Sequence, residues 1–144
     1  MTLLGSIIRL YLTKENSSTR LKQNSLELLF GGIKTDKFLK KDEKREILIS
    51  SQLSYEFAHS IDMPIQESDL GENILVNFDI KQLQIGDRLK VGNAIIEISL
   101  ECPICKHLKK IDAKFPKLIK DERGIFAKVI EEGVITVEDN IYKI

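Results

Sequence analysis

Two cysteines separated by two residues carry the clearest chemical signal in this sequence. Cys102 and Cys105 are the only cysteines among its 144 residues. A strand is predicted to end at Leu100, and a short helical turn is predicted to begin at Lys106. The positive end of a helix dipole, with the positive potential of Lys106 and His107, lowers the pKa of a thiol and favours the nucleophilic thiolate. These features make Cys105 a candidate reactive thiol.

From these residues alone, several interpretations of the cysteine pair stay open. A thiolate can carry a persulfide, bind a soft metal or exchange with a disulfide. A dithiol redox pair is expected in a thioredoxin-like βαβ unit, which this sequence lacks. A zinc site needs two further ligands, for which the chain offers only the histidines His59 and His107. The remaining interpretation is that both cysteines are small buried side chains without a reactive role.

Polar residues at three other places are candidate ligand-binding groups. Lys34 follows the glycines Gly31-Gly32, which allow an anion to approach the backbone. Ser50 and Ser51 are predicted to cap a helix, and the N-terminus of a helix also binds phosphate. Asn73 either forms a turn or offers its amide to a polar heterocycle. Each has a structural alternative: a solvated loop for the lysine, a helix cap for the serines and a turn for the asparagine.

Composition and charge restrict the class of protein. Hydrophobic residues make up 42% of the chain and charged residues 31%, which is ordinary for a globular domain. Because 22 basic residues balance 22 acidic ones, the charge gives no support for binding nucleic acid or a membrane surface. No apolar run approaches the ~20 residues of a membrane helix, and the start lacks the basic region of a signal peptide. We expect a cytoplasmic protein with one domain over residues 1–144.

Strand signals dominate the chain. Apolar, β-prone segments are predicted at 6–12, 26–30, 46–49, 89–91, 94–100, 124–130, 133–137 and 139–142, and a loop running into a strand at 69–78. One helix is predicted at 52–59, with Leu53, Phe57 and Ile61 on one face. The clearest element is a hairpin over 83–100 whose turn is Gly92-Asn93. Many short strands with one convincing helix predict a mainly β protein, a barrel or sandwich with a few short helices.

Five segments, taken in order, carry a family resemblance: GGIKTDK (31–37), REILIS (45–50), LGENI (70–74), LQIGDRLKVGNAIIEISLECPICKHL (83–108) and RGIFAKVIEEG (123–133). They resemble the MOSC domain, the C-terminal module of molybdenum cofactor sulfurases, which also occurs as a stand-alone protein. The resemblance covers nearly the whole chain. It implies a β-barrel with a cleft for a pterin-bound molybdenum cofactor, or for a related sulfur or metal cargo.

The resemblance also implies roles for particular residues. The key cysteine of the family falls on Cys105, where it either ligates molybdenum or carries activated sulfur. Asn73 matches a cofactor-contacting asparagine of some relatives, and Ser50, with Ser51 beside it, falls near a phosphate-contacting position. Positive charge for the cofactor is expected from three further residues: Lys34, Arg45 and Lys106.

Two departures from the family pattern affect these expectations. Residues 35–38 read TDKF where the family often has GDRH, and Glu101-Cys102 stands where an arginine is common. We expect no pyridoxal phosphate site in this chain, so a sulfur carrier of this kind needs an external donor such as a cysteine desulfurase. One alternative is a small molybdenum-dependent reductase of N-hydroxylated compounds, supplied with electrons by a redox partner. Another is a zinc or redox C-x-x-C module on the same barrel.

Overall fold

A computed structural model of the protein describes residues 1–101 and 124–144. The strands in these residues are β1 (Thr2–Leu12), β2 (Leu21–Gln23), β3 (Ser25–Leu29), β4 (Gly32–Ile33), β5 (Ile47–Ser51), β6 (Ile74–Val76), β7 (Arg88–Val91), β8 (Ala94–Glu101), β9 (Ile125–Glu131), β10 (Gly133–Thr136) and β11 (Asn140–Lys143). One α-helix, α1 (Gln52–Ser60), and one 3₁₀ helix (Ile80–Gln82) accompany them.

Seven of these strands close into a barrel. They follow one another in the order β11-β7-β8-β9-β5-β6-β1, and β1 pairs back with β11. Neighbours are antiparallel except β5 and β6, which are parallel. β2 extends the sheet beyond β1, and a small second sheet has the order β10-β3-β4. The prediction of a mainly β barrel with a few short helices is confirmed.

Alternating side chains build the core of the barrel. In β9, Ile125, Ala127 and Val129 are buried and the residues between them are partly exposed. Successive side chains of a strand point to opposite faces, so one face of each strand fills the interior. In the predicted hairpin, Leu89 of β7 pairs with Ile96 of β8, and both belong to this core. The same alternation that predicted these strands therefore also determines which of their faces is buried.

The predicted strands differ from the observed ones mainly at their ends. The strand predicted at 6–12 begins at residue 2, and the one predicted at 46–49 continues to Ser51. Three short elements had no sequence signal: β2, β4 and the 3₁₀ helix. Each has only two or three residues, so the neighbouring backbone, rather than a pattern of its own, determines its conformation.

The helix α1 confirms its predicted position and N-cap. It spans Gln52–Ser60, and the Ser51 side chain accepts a hydrogen bond from the Leu53 backbone N–H at 3.1 Å. Capping is a local interaction, which is why the sequence alone located it. At nine residues α1 is too short to cross a membrane, and no other helix in the described parts of the chain is long enough to do so.

The predicted apolar face of α1 is wrong. Leu53, Phe57 and Ile61 are 39%, 37% and 40% exposed. The helix instead buries Tyr55 and Ala58 against the side of β6 that points away from the barrel interior. A second small core forms there from Tyr55, Ala58, Met63, Ile65, Leu70 and Leu75. This face is buried because it packs against the apolar residues that follow α1 in the chain. Those residues lie outside the helix, so the periodicity of α1 alone does not indicate which face is buried.

Two neighbouring substitutions on α1 test this orientation. Phe57→Gln is expected to change the free energy of unfolding by less than about 1 kcal/mol, because surface substitutions rarely matter more. Ala58 is fully buried, so Ala58→Gln is expected to cost about 1–3 kcal/mol by overpacking. Both substitutions introduce glutamine, so the two variants are compared with the same new residue in the helix. Urea denaturation measures the two costs, and a larger cost for Phe57→Gln would contradict the observed face.

Candidate functional site

The side of β5 that points away from the barrel interior is where three of the predicted site residues lie close together. Leu48 and Ser50 alternate with the core residues Ile47 and Ile49 and therefore point outward. Both are nevertheless buried, at 6% and 0% exposure. On β9, Phe126 pairs with Leu48. We call Leu48, Ser50 and Phe126 the outer face. The backbone at Gly71 and Gly124 lies against it.

The segment that carries both cysteines is joined to the barrel beside this outer face. β8 ends at Glu101 and β9 begins at Ile125, and these two residues are paired. A Cβ atom on Gly124 would lie 3.0 Å from the Oγ of Ser50 and 3.1 Å from Cδ1 of Leu48. The two ends of the segment therefore border the outer face. The predicted residues Cys105 and Lys106 lie outside the described residues, as do Cys102 and the predicted helical turn at 106–111.

Asn73 holds two strands together at the edge of the outer face. Its Oδ1 accepts a hydrogen bond from the Leu48 backbone N–H at 3.0 Å, and its own backbone N–H donates to the Leu48 carbonyl at 2.8 Å. Its Nδ2 donates to the Tyr11 carbonyl at 3.2 Å. The residue is 4% exposed. Its amide thus links β1 to β5. The predicted contact of Asn73 with a cofactor stays a prediction beside this structural role.

Arg20 reaches the same region although nothing in the sequence singled it out. Its Nη2 donates to the Gly71 carbonyl, and its Nη1 is buried without a hydrogen-bond partner among the described residues. A Cβ atom on Gly71 would lie 3.7 Å from this Nη2 and 3.6 Å from Cδ2 of Leu48. Burial lowers the pKa of Arg20. A lone arginine in a loop rich in serine and threonine has no informative spacing, so only the tertiary contact identifies it.

A buried tyrosine–glutamate pair holds the loop that leads into β6. The Tyr55 hydroxyl lies 2.7 and 2.9 Å from the two carboxylate oxygens of Glu72, and it accepts a hydrogen bond from the Leu70 backbone N–H at 3.1 Å. Glu72 also accepts from the Ser68 backbone N–H at 2.8 Å. Burial raises the pKa of Glu72, and burial with the nearby Glu72 charge raises the pKa of Tyr55. The pair is rigidly held, because every one of these contacts is buried or partly buried.

The remaining predicted residues divide into two groups. The guanidinium carbon of Arg45 lies 5.8 Å from the ring centre of Phe126, so Arg45 borders the outer face. Lys34 instead directly follows β4 of the small sheet, and its Nζ is 3.2 Å from a carboxylate oxygen of Glu27. Ser51 uses its hydroxyl as the helix cap. The structure thus brings Ser50, Asn73 and Arg45 together and engages Lys34 and Ser51 in local contacts.

An open cavity of about 350 Å³ lies against β8 and β9 at another place. Its lining carries charges of both signs, from Glu43, Lys44, Glu46, Glu97 and Lys128, and the neutral Ser99. Burial raises the pKa of Glu46, which accepts a hydrogen bond from the Val129 backbone N–H. Of the predicted site residues that the structure describes, none lines this cavity. Nor does any group of three or more His, Cys, Asp or Glu in residues 1–101 and 124–144 suit a metal ion.

Comparison with known proteins identifies the family. The family model of the MOSC domain matches residues 35–142, which is about three quarters of the chain. The protein belongs to the MOSC domain family. The matched range contains Arg45, Ser50 and Asn73 and the whole cysteine segment. Arg20 precedes it. The resemblance predicted from five ordered segments is therefore confirmed at the level of the family.

Solved structures show the same fold for this MOSC domain protein. The YuaD protein from Bacillus subtilis superposes with a TM-score of 0.77 at 22% identity, over 98% of this chain and 94% of that one. YiiM from Escherichia coli has a TM-score of 0.75 at 16% identity, over 100% of this chain and 70% of that one. YiiM from Geobacillus stearothermophilus has a TM-score of 0.70 at 16% identity, over 99% and 74%. No curated protein sequence matches the chain.

Proposed function

We propose that this MOSC domain protein binds the molybdenum cofactor or carries sulfur for it, with Cys105 as the metal ligand or the persulfide-bearing residue. The observation that carries the proposal is the position of Glu101 and Gly124, the two ends of the cysteine segment, beside Ser50 and Leu48. An extended chain spans at most about 3.6 Å per residue, which limits the distance from Glu101 to Cys105 to about 14 Å. A thiol within that reach can serve a ligand bound against the outer face.

The charges around the outer face suit an anionic cargo. Arg20 and Arg45 lie at its two sides, and the Nη1 of Arg20 donates no hydrogen bond to any described residue. A phosphate-bearing pterin needs such donors. In this proposal Asn73 and the start of α1 at Ser50 and Ser51 contact the pterin and its phosphate.

Lys34 pairs with Glu27, so in the proposal the cationic role passes to Arg20, Arg45 and Lys106. Molybdenum, when bound, supplies a redox centre that changes oxidation state by two electrons. The part of this chain is to bind and orient the cofactor and to present one thiolate, the soft ligand that such metals prefer.

The sulfur-carrying form of the proposal is a thiol exchange. The Cys105 thiolate attacks the outer sulfur of a persulfide on a donor protein, such as a cysteine desulfurase. A new S–S bond forms on Cys105 while the S–S bond of the donor breaks, and the donor cysteine leaves as a thiolate. The numbers of sulfur atoms and electrons are conserved, so the step needs no added oxidant or reductant.

The test is to load the full chain with molybdenum cofactor, or with sulfur from a desulfurase, and to measure its cargo. Bound molybdenum, pterin fluorescence and cyanide-releasable sulfur are the three readouts. Cys105→Ser is expected to lower the cargo at least about tenfold, because the thiolate is the ligand and nucleophile. Cys102→Ser removes the same kind of atom three residues away and is expected to leave the cargo within about twofold of the wild type.

The outcomes separate the candidate roles. Molybdenum and pterin lost in Cys105→Ser support the ligand role, and releasable sulfur lost alone supports the carrier role. Bound zinc that disappears equally in both variants would indicate a C-x-x-C metal site and overturn the proposal. A wild-type chain that takes up neither cargo would overturn it as well.

A further inference from the structure

We propose that Arg20 is the receiving residue of a phosphate site, in which its Nη1 and the Lys37 ammonium bind one phosphate group once the Phe38 ring moves aside. The phosphate is either free or esterified to an organic ligand. This inference extends the proposed function, since an anionic cargo on the outer face would reach Arg20, but it does not require Cys105.

The first argument is that the Nη1 of the Arg20 side chain lacks a hydrogen-bond acceptor in the described parts of the chain. Among the described residues its guanidinium makes one hydrogen bond, to the Gly71 carbonyl, and its Nη1 is buried with no partner. A buried cation without a counter-charge or a full set of acceptors is costly and is rarely kept in a fold. Burial accordingly lowers the pKa of Arg20. An oxyanion would supply the missing acceptor.

The second argument concerns the two nearby carboxylates, which are already engaged. Asp36 accepts hydrogen bonds from the backbone N–H groups of Thr13, at 2.9 Å, and Phe38, at 3.2 Å. Glu72 accepts from the Tyr55 hydroxyl and from the Ser68 backbone N–H. Both carboxylates stabilise Arg20 only from a distance. The structure therefore surrounds the guanidinium with negative charge without offering it a direct partner.

The third argument is a second cation on the same aromatic ring. The ring centre of Phe38 lies 6.0 Å from the guanidinium carbon of Arg20 and 5.3 Å from the Nζ of Lys37. Lys37 donates one hydrogen bond, to the Ser17 carbonyl at 2.6 Å, which leaves other N–H groups of its ammonium for a ligand. Phe38 is 42% exposed, so part of its side chain already faces solvent. Once the ring moves aside, both cations border the space that it leaves.

The donors of the site suit a phosphate group. Arg20 and Lys37 are both cations, and a phosphate monoester carries nearly two negative charges at neutral pH. The planar guanidinium also matches phosphate oxygens in its hydrogen-bond geometry.

The experiment measures thermal unfolding of the full chain in phosphate and in chloride of equal ionic strength and pH. The wild-type Tm is expected to rise by about 4 °C at a phosphate concentration ten times Kd. Arg20→Met is expected to abolish the rise and to keep or raise the Tm in chloride, because it removes a buried unpaired charge. Arg9→Met is the matched control: Arg9 is paired with Glu67 at 3.6 Å, and its variant is expected to respond like the wild type.

Further arms identify the phosphate source and keep the test independent of folding. Inorganic phosphate and glycerol 3-phosphate are compared, and the more effective one identifies the free or the esterified form. Arg20→Lys keeps the positive charge but loses the planar guanidinium with its paired N–H donors. The affinity for phosphate, measured by ³¹P NMR, is therefore expected to weaken about tenfold. Cys105→Ser is expected to respond fully, which separates this site from the cysteine chemistry.

Three results would overturn the phosphate site. In the first, Arg20→Met responds to phosphate as the wild type does, which shows that the anion acts elsewhere. In the second, Arg20→Met has a markedly lower Tm in chloride, which shows that the guanidinium stabilises the fold through its hydrogen bond to the Gly71 carbonyl. In the third, Arg20→Lys binds phosphate as tightly as the wild type.

Discussion

Replacing Asn73 by alanine is expected to lower the free energy of unfolding by about 4 kcal/mol. The substitution removes the acceptor of the Leu48 backbone N–H and the donor to the Tyr11 carbonyl. Leu48 and Tyr11 are 6% and 7% exposed, so water does not readily replace the lost amide. Each backbone group left unsatisfied in the interior costs about 1–3 kcal/mol. Urea denaturation followed by circular dichroism gives the change by linear extrapolation.

Asn77 offers a matched control for this variant. Its Oδ1 also accepts a hydrogen bond from a backbone N–H, that of Ser6 at 2.8 Å, but this contact is exposed to solvent. Asn77→Ala is therefore expected to cost about 1 kcal/mol, because water takes over the lost bond. Equal costs for the two asparagines would contradict the role of Asn73 as a buried link between β1 and β5. A fully stable Asn73→Ala variant that loses cofactor would instead favour a direct contact.

The pair of Tyr55 and Glu72 is expected to produce the second large effect. Tyr55→Phe removes the hydroxyl that donates to the Glu72 carboxylate and accepts from the Leu70 backbone N–H. The expected loss is about 3 kcal/mol, because a buried charged group and a buried N–H lose a partner together. In the Glu72→Gln background the same tyrosine change is expected to cost less. Additive costs in this double-mutant cycle would show that the two side chains are not coupled.

The same pair predicts a pH dependence of stability. Burial raises the pKa of Glu72 above its ordinary value of 4.5, so the folded state binds a proton more tightly than the unfolded state. The stability contributed by that proton is fully present below about pH 4.5 and is lost as pH rises through the raised pKa, by at most ~1.4 kcal/mol per pH unit. Glu72→Gln is expected to flatten this decline. Since burial also raises the pKa of Glu46, the difference between wild type and variant isolates Glu72.

Local patterns in the chain predicted most of the barrel. The hairpin of β7 and β8 was predicted from alternation and from the Gly92-Asn93 turn, and both strands have the expected register across Val91 and Ala94. Alternation and turn residues act between neighbours in sequence, so they can be read without a partner. The closure of β1 onto β11 pairs residues at opposite ends of the chain. No local pattern contains that pairing.

The candidate site was predictable in part for the same reason. The sequence predicted a cap at Ser50 or Ser51 because an N-cap acts within three residues, and the structure shows that Ser51 is the cap. Asn73 was singled out by its place in a family segment, whereas its bonds to Leu48 and Tyr11 cross 25 and 62 residues of sequence. Arg20 was not predicted at all, because its contact with Gly71 spans 51 residues and its own surroundings in sequence carry no pattern.

The cysteine pair and the helix α1 show which features the sequence determines and which ones the tertiary structure determines. In the sequence, the order of the MOSC segments singles out Cys105 as the residue to test, and the capping serines locate the start of α1. The tertiary structure decided which face of α1 is buried, and it brought Ser50, Asn73, Arg45 and Arg20 around Leu48. Side-chain periodicity and capping are short-range effects, whereas burial and buried hydrogen bonds depend on which distant segments meet.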